Sequence, residues 1–88
     1  MKLPRDLSGQ DLAKALRKLG YQITRQTSSH IRLTTQRQGE HHITIPDHDA
    51  LRVGTLGGLL AAIGRHHKLS RDQLTRLLFG RDSRKLTL

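Results

Sequence analysis

Residues 20–46 read GYQITRQTSSHIRLTTQRQGEHHITIP, and this stretch decides the fold. Large apolar side chains recur there at every second position in three short runs: Tyr21 and Ile23, Ile31 and Leu33, Ile43 and Ile45. A period of two belongs to half-buried strands. The segments between them, 26–29 and 36–40, are short and polar, and the second contains Gly39, so the strands are predicted to follow one another as an antiparallel meander. Parity turns His30, Arg32 and Thr34 away from the face that Ile31 and Leu33 define. Pro46 has no N–H to give a ladder and ends the third strand, and 46–49 reads as a loop.

Outward from this core the period changes to that of a helix. Before it, Ser8 with Asp11 three residues on resembles a capping box, and Leu12, Ala15, Leu16 and Leu19 recur at helical spacing up to Gly20. This predicts helix one over about 9–19. After the strands, Leu56, Leu59, Leu60 and Ile63 form an apolar stripe, with Thr55 as its expected N-cap and Gly64 as its expected stop. Gly57 and Gly58 weaken this second helix, which implies either a backbone packed close to the sheet or a frayed start. Ser70 caps a short third helix carrying Leu74, Leu77 and Leu78 and ending near Gly80. The prediction is one domain over 1–80 with a flexible tail over 81–88.

The fold class is therefore α+β, in the order α-β-β-β-α(-α): a three-stranded antiparallel sheet with two helices on one face and a short third helix. That order resembles the double-stranded-RNA-binding domain. Sixteen Lys and Arg against seven Asp and Glu give 88 residues a formal charge of +9, which favours phosphate backbones or an acidic protein as partners. Only Tyr21 and Phe79 are aromatic, so RNA would be gripped by its backbone rather than by stacked bases. The lack of Cys excludes thiolate metal sites, cysteine nucleophiles and disulfides, and fits a reducing compartment. With no secretory signal or membrane-length apolar run, the cytoplasm is the expected location.

More specific features are Gly20-Tyr21 opening the first strand, Arg25 closing it, Ser29-His30 opening the second, Ile45-Pro46 followed by His48, and Gly54-Thr55-Leu56 at the second helix. As an ordered set over roughly residues 7–79 they resemble the HicA family, the toxins of HicA/HicB toxin-antitoxin pairs. The resemblance implies an mRNA interferase, a HicB-type antitoxin as protein partner, and a functional histidine in a Gly-Ser-His motif at the start of the second strand, here His30. The glycine of that motif is Ser28 in this chain. A position that demanded positive φ would strain Ser28, which makes a non-catalytic RNA-binding domain of the same fold the alternative.

The chemistry of RNA cleavage without a metal points to the same histidine, because imidazole can take or give a proton near neutral pH. Arg25, Arg32 and Arg37 flank it in sequence as phosphate ligands, Ser29 is expected to position it, and Lys14, Arg17 and Lys18 on helix one offer a further phosphate rail. His48 is a candidate for assistance. The pairs His41-His42 and His66-His67 do not match metal-ligand spacing, since neighbours on a strand or helix point apart. Neither metal nor cofactor is expected.

Overall fold

The computed structural model describes residues 6–80; the expected tail over 81–88 lies outside them. Helix α1 (Gly9–Ala15) continues into a 3-10 turn (Leu16–Leu19), followed by strands β1 (Gln22–Gln26), β2 (His30–Thr35) and β3 (His41–Pro46) and helices α2 (Val53–His67) and α3 (Arg71–Phe79). The strands form one antiparallel sheet in the order β1-β2-β3, the predicted meander. Ile31, Leu33, Ile43 and Ile45 point from it into a core completed by Leu12, Leu16, Leu60, Ile63 and Leu74. Their burial leaves the opposite sheet face to polar side chains. No helix among the described residues is long and apolar enough to cross a membrane.

Local chemistry explains most boundaries. Ser8 Oγ accepts from the Asp11 N–H at 2.9 Å while the Asp11 carboxylate accepts from the Ser8 N–H, so the first capping box is complete. Ser70 and Gln73 form a second one at the start of α3. The 3-10 turn closes on Gly20 at φ 82°, a left-handed conformation that glycine adopts without strain.

Helix α2 departs from expectation at both ends. It begins after Arg52 without any side-chain cap, two residues before Thr55, and it runs past Gly64 to His67, where Lys68 takes the left-handed φ of 60°. Gly64 serves packing instead: a Cβ there would lie 2.8 Å from the Leu69 carbonyl oxygen. Gly57 and Gly58 sit inside the helix, and a Cβ at either would meet at most the Arg71 guanidinium at 3.7 Å, so neither close packing nor a frayed start accounts for them. Leu77, expected in the apolar stripe of α3, is 41% exposed; Leu74, Thr75 and Leu78 are the buried residues of that helix.

The two histidine pairs meet across the fold, which local spacing does not show, and within one of them the rings of His66 and His67 also touch edge to face with centroids 4.8 Å apart. His41 stacks on His66 with ring centroids 4.3 Å apart, and the buried Tyr21 hydroxyl lies 2.7 Å from His41 Nδ1 and 3.1 Å from His67 Nε2. One phenolic proton serves both contacts, so Tyr21 donates to one imidazole and accepts from the other. His66 Nε2, 3.0 Å from the carbonyls of both Arg37 and Gly39, donates to them and ties α2 to the β2–β3 hairpin. No three His, Cys, Asp or Glu side chains among the described residues are arranged to hold a metal ion.

This cluster makes stability depend on pH. Burial, and then the neighbouring His66, hold His41 and His67 below the usual imidazole value, with smaller contributions from His42 on His41 and from His41 and Arg37 on His67. The unfolded chain therefore takes up protons first, and stability falls below about pH 6.5 by at most about 1.4 kcal/mol per pH unit for each proton. Burial also pushes the Tyr21 phenol from 10.0 to about 12, so stability is lost again as pH rises between those values. Thermal unfolding should give a plateau from about pH 7 to about pH 10. Replacing His41 and His67 by asparagine should flatten the acidic limb, and a limb equally steep in both proteins would refute the assignment.

Candidate nucleic-acid interface

The turn between β1 and β2 is built around Thr27. Its Oγ1 accepts from the N–H groups of His30 at 3.1 Å and Ser29 at 3.3 Å, and its own N–H donates to the His30 carbonyl at 2.9 Å. A threonine side chain thus closes the turn, as Ser and Thr do when they compete for local backbone groups. Ser28 is not among the residues with positive φ, so the serine at the motif's glycine position carries no left-handed strain. Ser29 stands beside the histidine with Oγ 3.0 Å from His30 Nδ1, leaving Nε2 of the exposed ring to face solvent.

A second connection fixes the turn from behind. The Asp47 N–H donates to the Ser29 carbonyl at 2.9 Å, the Gly9 N–H donates to the His48 carbonyl at 3.0 Å, and Gln10 Nε2 donates to the Asp47 carboxylate at 3.3 Å. His30 itself pairs with Pro46 across the sheet. The start of α1, the loop after β3 and the histidine turn are therefore joined by backbone hydrogen bonds. His48 contributes its carbonyl to this junction while its residue remains exposed.

Strict alternation along β1 would send Arg25 to the helix side together with Ile23. A β-bulge between Ile23 and Arg25 breaks the alternation: Ile23 pairs with Leu33, yet Arg25 pairs with the next residue, Arg32. Thr24 also faces the open side, its Oγ1 3.1 Å from Thr34 Oγ1. The bulge sets Arg25 and Arg32 directly opposite each other in the ladder, on the surface that carries His30, and neither makes an ion pair among the described residues. Like charges directly opposite destabilise a sheet, so the pair is suited to an anion between them.

Residues 9–65, well over half of the chain, match the HicA toxins of bacterial toxin-antitoxin pairs. The chain belongs to the HicA toxin family. Comparisons with curated proteins and with solved structures return no match. The HicA match includes the complete sheet, the Thr27 turn and the junction behind it.

Other basic residues expected at the interface stand elsewhere in this HicA chain. Lys18 Nζ donates to the carbonyls of Leu78 at 3.2 Å and Leu77 at 3.5 Å, capping the end of α3. Arg37 donates from Nη1 to the Lys18 carbonyl at 2.8 Å, at the end of β2 remote from His30. Lys14 and Arg17 lie on the helix side of the sheet and line a cleft with Ile23. Thr27 and Asp47 were not singled out from the sequence; a threonine opening a run of small polar residues is the signal that marks the first, whereas nothing local marks the second.

Proposed function

We propose that this HicA-family chain is a metal-independent endoribonuclease that acts on mRNA in the cytoplasm and is restrained by a HicB-type antitoxin. Support comes above all from one juxtaposition: an exposed imidazole held by Ser29 on the sheet face where Arg25 and Arg32 stand opposite each other. His30 and Arg32 are alternate residues of one strand, about 7 Å apart along it, a spacing at which adjoining groups of one nucleotide can meet both. The arginines would hold a phosphate and offset the charge that grows on its oxygens, while His30 Nε2 moves a proton.

In the reaction so read, the ribose 2′-oxygen attacks phosphorus, the bond from phosphorus to the 5′-oxygen breaks, and the products end in a 2′,3′-cyclic phosphate and a 5′-hydroxyl. One proton leaves the 2′-hydroxyl and one reaches the leaving oxygen, so the reaction is balanced without any co-reactant. Incubation of the purified chain with RNA in excess chelator tests this directly. Cyclic phosphate ends, and resistance of a strand that carries 2′-deoxyribose at the cleaved position, are the expected results; chelator-sensitive cleavage or none would reject the reading.

The arginine pair carries a separate prediction. Replacing Arg25 or Arg32 by glutamine should weaken RNA binding and make the slope of log affinity against log salt shallower by about 0.7 per arginine removed. The same variants should be as stable as the parent or slightly more so, because a like-charge contact is relieved. RNA titrations at several salt concentrations together with thermal unfolding measure both, and an unchanged salt slope would remove the arginines from the interface.

A further inference from the structure

On the helix side of the sheet, α1 lies over β2 and β3 and leaves β1 uncovered. The result is a cleft of about 530 Å³ whose lining includes Ala13, Lys14, Arg17, Ile23 and Leu33 and has no carboxylate. Ile23 pairs with fully buried Leu33 and points to the same side, yet it is 49% exposed. All five residues of β1 are exposed and its outer edge pairs with no strand among the described residues. Lys14 and Arg17 are both exposed and neither makes an ion pair among the described residues.

We propose that this cleft is the docking site for an extended acidic segment of a partner protein, with alternate carboxylates meeting Lys14 and Arg17 and an apolar side chain seated on Ile23. The spacing supports that occupant. Residues three apart on a helix place their Cβ atoms about 5–6 Å apart, while side chains on one face of an extended segment recur at about 7 Å, within reach of long basic side chains. The intervening side chain then turns to the cleft's apolar floor.

Lys14 and Arg17, with Gln10 and Gln22 beside them, would also attract RNA, but the half-exposed Ile23 offers a ribose-phosphate chain neither a stacking surface nor a hydrogen bond and favours an apolar side chain of a protein segment. The proposal does not rest on the catalytic reading, since the cleft and His30 lie on opposite faces of the sheet.

The test uses the full chain and a fluorescent alternating Glu-Val hexapeptide at low salt. The expected result is saturable binding that weakens about tenfold or more in Lys14→Glu/Arg17→Glu and also weakens in Ile23→Ser, while Arg25→Gln/Arg32→Gln leaves it unchanged. An alternating Lys-Val peptide should not bind, and amide resonances of residues 13–23 should shift rather than those of the open face. Absence of binding, binding insensitive to Ile23→Ser, or displacement by RNA at concentrations that fill the open face would overturn the proposal. These substitutions are at exposed positions, and thermal unfolding confirms that each variant folds.

Discussion

Replacing His30 by alanine should lower RNA cleavage by about 10²–10⁴-fold, the usual contribution of a positioned acid–base group, while RNA is still bound. The separation of rate from affinity follows from the proposed layout of the site, in which Arg25 and Arg32, paired across β1 and β2, would hold phosphate through contacts that do not involve the imidazole. Ser29→Ala should cost less, since it frees the ring without removing it, and should lower the rate while leaving RNA affinity unchanged. His48→Ala should have a small effect, as the loop is held by the His48 backbone carbonyl rather than by its ring. Single-turnover cleavage by the four proteins, with binding measured to a 2′-deoxy strand, separates these outcomes. A His30→Ala protein that cleaves like the parent would end the catalytic assignment.

Gly9→Ala should be the costliest small substitution near the site. A Cβ at this position would overlap the Pro46 carbonyl oxygen and come within 3.2 Å of its carbon and 3.3 Å of Asp47 Cα, all of them backbone atoms. Since no flexible side chain can yield, either α1 or the end of β3 must move. Overpacking of this kind costs about 1–3 kcal/mol, which in a domain of this size lowers Tm by about 4–24 °C. Pro46 pairs with His30 and Asp47 bonds to Ser29, so the displacement should also reach the histidine turn. Cleavage should therefore drop further than the loss of folded protein explains. Gly58→Ala is the control: nothing lies within 4 Å of its added carbon.

The sheet was legible because β2 and β3 each bury one alternating face and Tyr21 and Ile23 carry the same spacing into β1, a period of two that has no helical counterpart. Capping boxes at Ser8 and Ser70 were legible for a similar reason: donor and acceptor stand three residues apart in the sequence itself. Parity also placed His30, Arg32 and Thr34 correctly on the open side. Where the reading failed, the deciding contact was distant. Tyr21 is buried while Ile23 is exposed because α1 settles over β2 and β3, which β1 cannot report. Gly64 resembled a helix stop, but a carbonyl of Leu69, beyond the helix end, explains it. His41 and His66 meet across 25 positions of sequence, and no local spacing rule sees such a pair. Charge alone marks Lys18 and Arg37 as phosphate ligands, and it does not report that Lys18 also bonds the carbonyls at the end of α3 and that Arg37 Nη1 bonds the Lys18 carbonyl.

The bulge in β1 is a matter of one residue, and so of one codon. Thr24 is the extra residue: a chain lacking it would keep Arg25 opposite Arg32 in an unbroken ladder, since Arg25 would then follow Ile23 directly and alternate to the open face. With Thr24 present, strict pairing would instead set Thr24 opposite Arg32 and turn Arg25 toward the helices, so the bulge is what keeps the two arginines together in a strand one residue longer. A lineage of such a domain can therefore gain or lose one codon at this point and keep both the paired arginines and the buried face of the sheet.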